Sequence, residues 1–323
     1  MSDTLVRRSD DFFAFLQLVK RHCKVFLKDR MAVFFSLLAP IIVFLLYVLF
    51  LGDLQEDTVM SFFPEGVTVP EGAVSAFVDS WMVSGVLGTA CFTVSFSANT
   101  IMVQDKCRGQ IRDCLVSPVK RTTVTLAYFA FNFIVTVAVV TFVTLLCFVY
   151  LAATGGFRMS AGDAFATLGN VAFSALSSTL FSVFVCSFFR TEGALSGFIG
   201  IVSAAIGFLI GAYMPLSAFP DGVEYLAALL PGTHSAGLFR NFLMSGALAD
   251  LTAGLPQAVY DGLLDAFSMR LDFFGKAAGT DVMALYVAGS IVLLAALNLI
   301  VGTRFLNLAS SGGAKKLFGK KKS

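Results

Sequence analysis

Residues 81–104 read WMVSGVLGTACFTVSFSANTIMVQ, 24 positions without one ionisable side chain. A helix needs roughly 20 apolar residues to cross the ~30 Å hydrocarbon core of a bilayer, and a charge at its centre costs about 2.5–3.5 kcal/mol. This stretch meets both conditions, and five more charge-free runs flank it, at 31–52, 122–157, 164–189, 193–220 and 282–303. The sequence therefore predicts an all-α membrane protein with six transmembrane helices, at about 31–52, 81–104, 122–154, 164–189, 193–214 and 282–303. A segment at 1–30 precedes the six-span domain of 31–303, and a basic tail at 304–323 follows it. The third run exceeds what a bilayer requires, so it is expected to tilt or project. The run beginning at residue 31 is too long for a leader's apolar region and is expected to stay as a span.

Composition agrees. Of 323 residues 57% are hydrophobic, 14% are charged and 35 are Phe, with a mean hydropathy of +0.83. Soluble domains carry about 25% charged residues, and a chain this apolar is neither a soluble globule nor disordered. The net charge of +2 conceals a strong asymmetry. With both termini on the cytoplasmic side of the cell membrane, 19 of the 23 Lys and Arg fall inside and 14 of the 21 Asp and Glu fall outside. That is the distribution the positive-inside rule demands. Asp79 belongs in this reading to the external segment between the first two spans, which has no Lys or Arg.

The segments between spans carry the remaining information. Residues 10–28, DDFFAFLQLVKRHCKVFLK, set Phe12, Phe15, Leu16, Val19, Cys23, Phe26 and Leu27 on one helical face and Gln17, Lys20, Arg21, Lys24 and Lys28 on the other. Such a helix lies along cytoplasmic headgroups or packs on a soluble partner, with His22 as a polar-face residue without chemistry. The loop at 104–121, QDKCRGQIRDCLVSPVKR, holds a short helix that stops at Ser117-Pro118. It serves either as a lever on two long helices or as a solvated hairpin that enforces topology. Residues 215–281 are external. Two short apolar stretches divided by Pro231-Gly232 suit re-entrant helices, and 256–275 suits an amphipathic helix with Tyr260, Leu263, Leu264, Phe267, Leu271 and Phe274 on one face. The tail KKLFGKKK at 315–322 would attract anionic lipid.

Catalysis finds no support. There are two histidines on opposite sides of the membrane, no HExxH, and no G-x-x-x-x-G-K-[ST] for a nucleotide. Six cysteines all fall at cytoplasmic or intramembrane positions, where no disulfide is expected, and no metal-ligand set is present. Nucleic acid is not an expected partner. No ionisable residue lies within the six runs, so ion-coupled transport is not expected. Energy for any work must come from another chain.

These features together resemble the membrane subunit of type-2 ABC transporter permeases. The resemblance rests on the basic N-terminal helix as the family's amphipathic interfacial helix, LLAPIIVFLLYVLFLG for the first span, MVQDKCRGQIRDCLVSPVKRTTVTLAYF for the second-span exit and cytoplasmic coupling helix, and AYMPLSAFPDGVEYLAALLPGTHSAGLFRNFLM for the fifth-span exit and re-entrant outer helices. The family more often has Glu where Asp105 stands, and 250–281 is extra length. The resemblance implies a second permease copy, identical or related, and separate ABC ATPase subunits that hold ATP and Mg, with no cofactor on this chain. It implies that Asp105, Lys106, Arg108, Gly109, Arg112, Asp113, Leu115, Pro118 and Arg121 couple to the ATPase. Second and fifth spans would line the path, placing Ser84, Thr89, Thr93, Ser97, Asn99, Gly200, Ser203, Gly207, Gly211 and Tyr213 there. Pro215, Pro231, His234 and Arg240 would belong to an outer gate, the last two capping helix ends or lying in headgroups. The glycine pair Gly207-x-x-x-Gly211 permits close helix approach, as plain packing or as part of a gate, with packing the commoner use. Export of an amphipathic or lipid-like substrate (drug, antibiotic, peptide) is the expected function. The alternatives are export of a lipid-linked polysaccharide and a non-transporting scaffold that relays ATPase motion.

Overall fold

The long apolar runs form helices in the computed structural model, which describes residues 2–63, 69–70, 72–116, 119–273 and 275–311, with backbone only at 2–10, 112, 115 and 302–311. The chain opens with α1 (Ser2–Lys28), and one residue, Asp29, separates it from α2 (Arg30–Ser36), whose first turn Asp29 caps by accepting the Ala32 N–H. Leu37 then breaks the helix, and α3 (Leu38–Leu46), a π-helical turn at Tyr47–Leu51 and α4 (Gly52–Met60) follow in one rod. The first candidate span is thus Leu38–Met60, displaced from the charge-free run at 31–52. The helix does not stop at Asp53, because a helix carrying charge on its outermost turns can leave the hydrocarbon without unwinding.

The second span joins α5 (Ala73–Ala98) to α6 (Thr100–Cys107), and α7 (Gln110–Val116) is the short helix beyond it. Then come α8 (Arg121–Thr154), ended by left-handed Gly155, α9 (Ala161–Ser187), started by a Ser160/Asp163 capping box, and α10 (Glu192–Leu209), capped by Thr191. These caps satisfy the free N–H groups of each helix start where the chain turns. At 34 residues α8 is about 51 Å long, well beyond a bilayer core. Four short helices follow, α11 (Asp221–Ala228), α12 (Pro231–Leu243), α13 (Ser245–Thr252) and α14 (Gln257–Ala266). An antiparallel pair of two-residue strands, β1 (Leu271–Asp272) and β2 (Ala277–Ala278), leads into α15 (Thr280–Ser311). The tail at 315–322 lies outside the described residues.

One helix organises the rest. In the span Ala73–Cys107 the most apolar window is 89% buried, against 11% to 56% in the other five. Helices α8, α9 and α12 pack around α5, with α2, α3 and α4 on its remaining side. Glycines allow the closest approaches: a Cβ on Gly85 would meet Ala212 at 2.9 Å, and one on Gly88 would meet Ala236 at 3.0 Å. The α5–α8–α9 seam is polar. Asn132 Oδ1 accepts from Ser95 (3.0 Å), Thr136 (3.1 Å) and Thr179 (3.0 Å), its amide donates to the Ser95 carbonyl (2.8 Å), and the Asn99 amide donates to Ser182 (2.6 Å). Within a bilayer each such bond between helices contributes about 0.6 kcal/mol on average.

Two expectations are corrected here. Asp79 is not in an external loop: it is buried within α5, and its Oδ1 accepts from the hydroxyls of Tyr47 (3.2 Å) and Tyr150 (3.1 Å). The π-helical turn places Tyr47 for that contact, so a carboxyl group buried among helices is satisfied by phenol donors rather than excluded. The amphipathic helix expected over 256–275 ends at Ala266. Phe267 turns inward to pack edge-on against Phe77 and Trp81, at 5.1 and 6.0 Å between centroids, and Ser268 takes a left-handed φ of 54°. Leu271, predicted on the helix face, lies instead in β1, buried; Phe274 falls outside the described residues. This segment covers the end of α5 and is no free-standing helix.

Candidate functional site

The basic residues of α1 and of 104–121 gather at one end of the bundle, termed the basic end, and the opposite end, with Asp79 and 210–279, is the acidic end. At the basic end α6 stops at Cys107, Gly109 makes the turn with φ of 84°, and α7 follows. Asp105 is buried at 5% exposure. Arg21 grips it with both guanidinium nitrogens, at 2.7 and 3.1 Å, and the Tyr128 hydroxyl donates to it at 2.7 Å. Arg21 also donates to the Gln110 side chain, so one cation of α1 bridges α6 and α7. The carboxylate raises the Arg21 pKa further through that hydrogen bond.

His22 is the clearest error of the sequence reading. Expected on a polar face, it is 1% exposed, stacked on Tyr128 at 4.2 Å and packed against Phe131. Burial pushes its pKa down to about 4, with Arg21 also lowering it and Asp105 acting the other way. The buried face of α1 is Val19, His22 and Phe26, against α8, while Phe12, Leu16 and Leu27, assigned to the same face by periodicity, remain exposed. The helix has three arcs where two were expected.

On its other side the turn is tied to the start of α10. Lys106 Nζ donates to the Phe189 carbonyl (3.2 Å), Cys107 Sγ to that of Arg190 (3.3 Å), and Arg108 pairs with Glu192 (3.3 Å). Lys120 pairs with Asp11 of α1 at 2.5 Å. Asp113 is exposed on α7, and Arg121 opens α8. Pro118 and the side chains of Arg112 and Leu115 lie outside the described residues.

A groove runs between α2, α3 and α10. Its basic-end section has a volume of about 550 Å³ and is lined by Asp29, Phe35, Leu38, Gln104 and Glu192, with Ser97, Gly200, Ser203 and Tyr213 from the predicted path. An apolar section of about 720 Å³ continues toward the acidic end between Leu46, Phe50, Phe62, Phe208 and Pro215, sharing Ile42, Ala204 and Tyr213 with the first. Other predicted path residues are elsewhere. The hydroxyls of Ser84, Thr89 and Thr93 bond to carbonyls of their own helix, the last also to Ser36 of α2, and Asn99 belongs to the α5–α8–α9 seam. Gly207 makes room for the Tyr213 ring and Gly211, with φ of 72°, ends α10, so the pair is internal packing. The sequence signal for the groove was the polar ends, Asp29, Gln104 and Glu192, which periodicity alone does not single out.

At the acidic end His234 and Arg240 are both fully buried. His234 stacks on Tyr286 at 4.0 Å and its Nε2 lies 2.7 Å from the Ala228 carbonyl at the end of α11. Arg240 donates to the carbonyls of Ile210 (2.8 Å), Gly211 (2.7 Å) and Ser268 (3.3 Å). Both side chains therefore reach the C-terminal carbonyls of neighbouring helices, α11 for His234 and α10 for Arg240, where orphan carbonyls and the helix dipole favour a donor. Pro231 opens α12, and Pro215 lines the apolar groove. All six cysteines are free, and among the described residues no cluster of three metal-ligating side chains occurs.

Comparison with known proteins finds no match among curated proteins. Residues 14–244 match the family model described as ABC-2 type transporter, a stretch that begins in α1, takes in the turn at 104–121 and the groove, and ends just past α12. This multi-pass helical bundle is therefore the permease subunit of an ABC transporter, and the chain belongs to the ABC-2 type transporter family.

Proposed function

We propose that the chain, as a pair of copies with two separate ATPase subunits, exports an amphipathic or lipid-like substrate across the cell membrane, with both termini cytoplasmic. The observation that carries the reading is the tie between the 104–121 turn and α10 through Lys106, Cys107 and Arg108. ATPase closure pushes on α7, and the turn passes that push to Glu192 at the first residue of α10, which walls the groove along its length. Helix α10 suits movement: only 17% of its apolar window is buried, so little packing resists displacement. The lining supports this cargo class: at the basic end Asp29, Gln104 and Glu192 stand among apolar side chains such as Phe35, Leu38 and Ile199, and the section beyond is apolar. An extended polysaccharide would find few hydroxyl-binding partners in the apolar section, which is why amphipathic cargo is preferred. In this arrangement Pro215, Pro231, His234 and Arg240 hold the outer closure, and α11 and α12 are re-entrant.

Reconstitution with the partner ATPase tests the reading. Amphipathic cations and lipids should stimulate ATP hydrolysis in the wild type, and Glu192→Arg should abolish that stimulation while hydrolysis itself continues. Stimulation by small charged metabolites alone, or wild-type stimulation in Glu192→Arg, would overturn it.

A further inference from the structure

The apolar section of the groove contains polar groups that the chain itself leaves unanswered. Four polar residues line its volume of about 720 Å³: Gln55, Thr58, Tyr213 and Ser217. Thr58 donates back to the Leu54 carbonyl at 2.8 Å, and Ser217 to that of Ala266 at 2.7 Å. Gln55, on α4, is 5% exposed, and Tyr213, in the turn after α10, is 9% exposed. Neither the Gln55 amide nor the Tyr213 hydroxyl has a hydrogen-bond partner among the described residues. Neither group is sealed within protein, so a partner for each can arrive from the groove. The Tyr213 ring is fixed in the space that Gly207 leaves and packs edge-on against Phe208 at 4.7 Å between centroids.

About nine in ten buried polar groups have a partner, and one left without it weakens the fold. Here the neighbouring side chains, Phe50, Leu54, Phe62 and Phe208 among them, offer none. An apolar hollow of this size with a few polar groups has the make-up of a small-molecule site. A carboxamide offers donors and an acceptor side by side, and a phenol offers one more donor. Another amide answers both halves of a carboxamide, an ester answers only its donors, and a hydrocarbon chain answers neither. We propose that Gln55 and Tyr213 form a specificity site for an amide carried within the apolar part of the cargo. Gln55 pairs with the carbonyl and the N–H of that amide, and Tyr213 donates to the second lone pair of the same carbonyl. The favoured cargo is then an amphiphile with a secondary amide set in hydrocarbon. Phospholipid esters leave the Gln55 carbonyl unanswered, so the groove can open to the bilayer without carrying the bulk lipid. The word cargo rests on the export reading, whereas the binding of the amide does not.

Three radiolabelled single-chain amphiphiles test the site. They share headgroup and length and differ at mid-chain, where one has a secondary amide, one an ester and one only methylenes. Their affinity is measured, above partitioning into empty discs, for the full chain with its partner ATPase in phosphatidylcholine nanodiscs without nucleotide. The amide should bind at least about tenfold tighter than the methylene analogue, with the ester between them. Gln55→Met, which keeps the length of the side chain, should remove the preference and keep the affinity for the methylene analogue, which also shows that the hollow is intact. Tyr213→Phe, which keeps the ring against Phe208, should reduce the preference about threefold. Equal affinities in the wild type, or an undiminished preference in Gln55→Met, would overturn the site. So would weaker pairing of permease copies in Gln55→Met with no amphiphile present, since the amide would then be meeting a second copy. An amide preference in binding without stimulated ATP hydrolysis would keep the site and remove the export reading, and equal binding with equal stimulation by all three would do the reverse.

Discussion

Two ions are buried at opposite ends of this bundle, and their partners differ in kind. Asp105, at the basic end, is held by a guanidinium from a peripheral helix that is 38% exposed, and by one phenol. Arg240, at the acidic end, faces three backbone carbonyls and no carboxylate. A charge paired across two separate helices would be released if they parted, because water could then solvate the exposed partner. A charge satisfied by carbonyls of a folded turn has nowhere to go without unfolding that turn. The first arrangement is a latch suited to repeated strokes and the second a fixed closure.

The contrast predicts that Arg240→Met is the most damaging single change. Three carbonyls would lose their donor in a buried place, at about 1–3 kcal/mol for each group left unsatisfied. A loss of about 3 kcal/mol or more should appear as a large drop in the melting temperature of the purified protein, with faster exchange at 210–216. A variant as stable as the wild type would erase the distinction between the two ends.

Asp105→Arg should cost no more than Arg240→Met, about 3 kcal/mol, the low end for breaking a buried pair, since Arg21 is partly solvated already. The bundle stays folded, exchange of residues 19–26 rises at least about tenfold, and ATP hydrolysis no longer drives transport. Adding Arg21→Asp should restore both, because the pair is then merely inverted.

Acid acts on the same latch more gently. Burial lowers the His22 pKa from 6.5 to about 4, so between those values the unfolded chain binds more protons than the folded one. The stability that neutral His22 contributes is complete above pH 6.5 and declines as pH falls toward 4. Exchange of α1 should therefore quicken from pH 7 to pH 5 after correction for the intrinsic rate. His22→Phe, which keeps the stacking on Tyr128, should remove this response.

Arg108→Ala should have the smallest effect on stability. It breaks an exposed pair worth no more than about 1 kcal/mol, yet transport should fall with the melting temperature unchanged. A loss of stability equal to that of Asp105→Arg would mean that the turn is braced from the α10 side instead.

The six helices were legible because bilayer thickness imposes a length and a charge rule that a single sequence displays. The break at 104–121 was legible as a short polar stretch between two such runs. What periodicity could not give was the choice of neighbour. Leu16 and Phe26 fall within one apolar arc of the helical wheel, but only Phe26 meets α8, and His22 is buried because Tyr128 and Phe131 offer aromatic faces 106 and 109 residues later. Asp79 escaped notice for the same reason: two tyrosines from distant helices make its burial tolerable. Six of the ten predicted path residues lie outside the groove: Gly207 and Gly211 pack internally, and the polar groups of Ser84, Thr89, Thr93 and Asn99 are taken by their own backbone or a neighbouring helix, as buried hydroxyls commonly are.

The seam around Asn132 has a consequence for change over evolutionary time. Its hydrogen bonds lock α5, α8 and α9 into a unit whose members cannot be altered singly without orphaning a partner. The exposed groove positions of α10, Ser196, Ala204 and Phe208, carry no such debt. Selection for a new cargo can therefore rewrite one wall of the groove residue by residue while the inherited frame stays as it was.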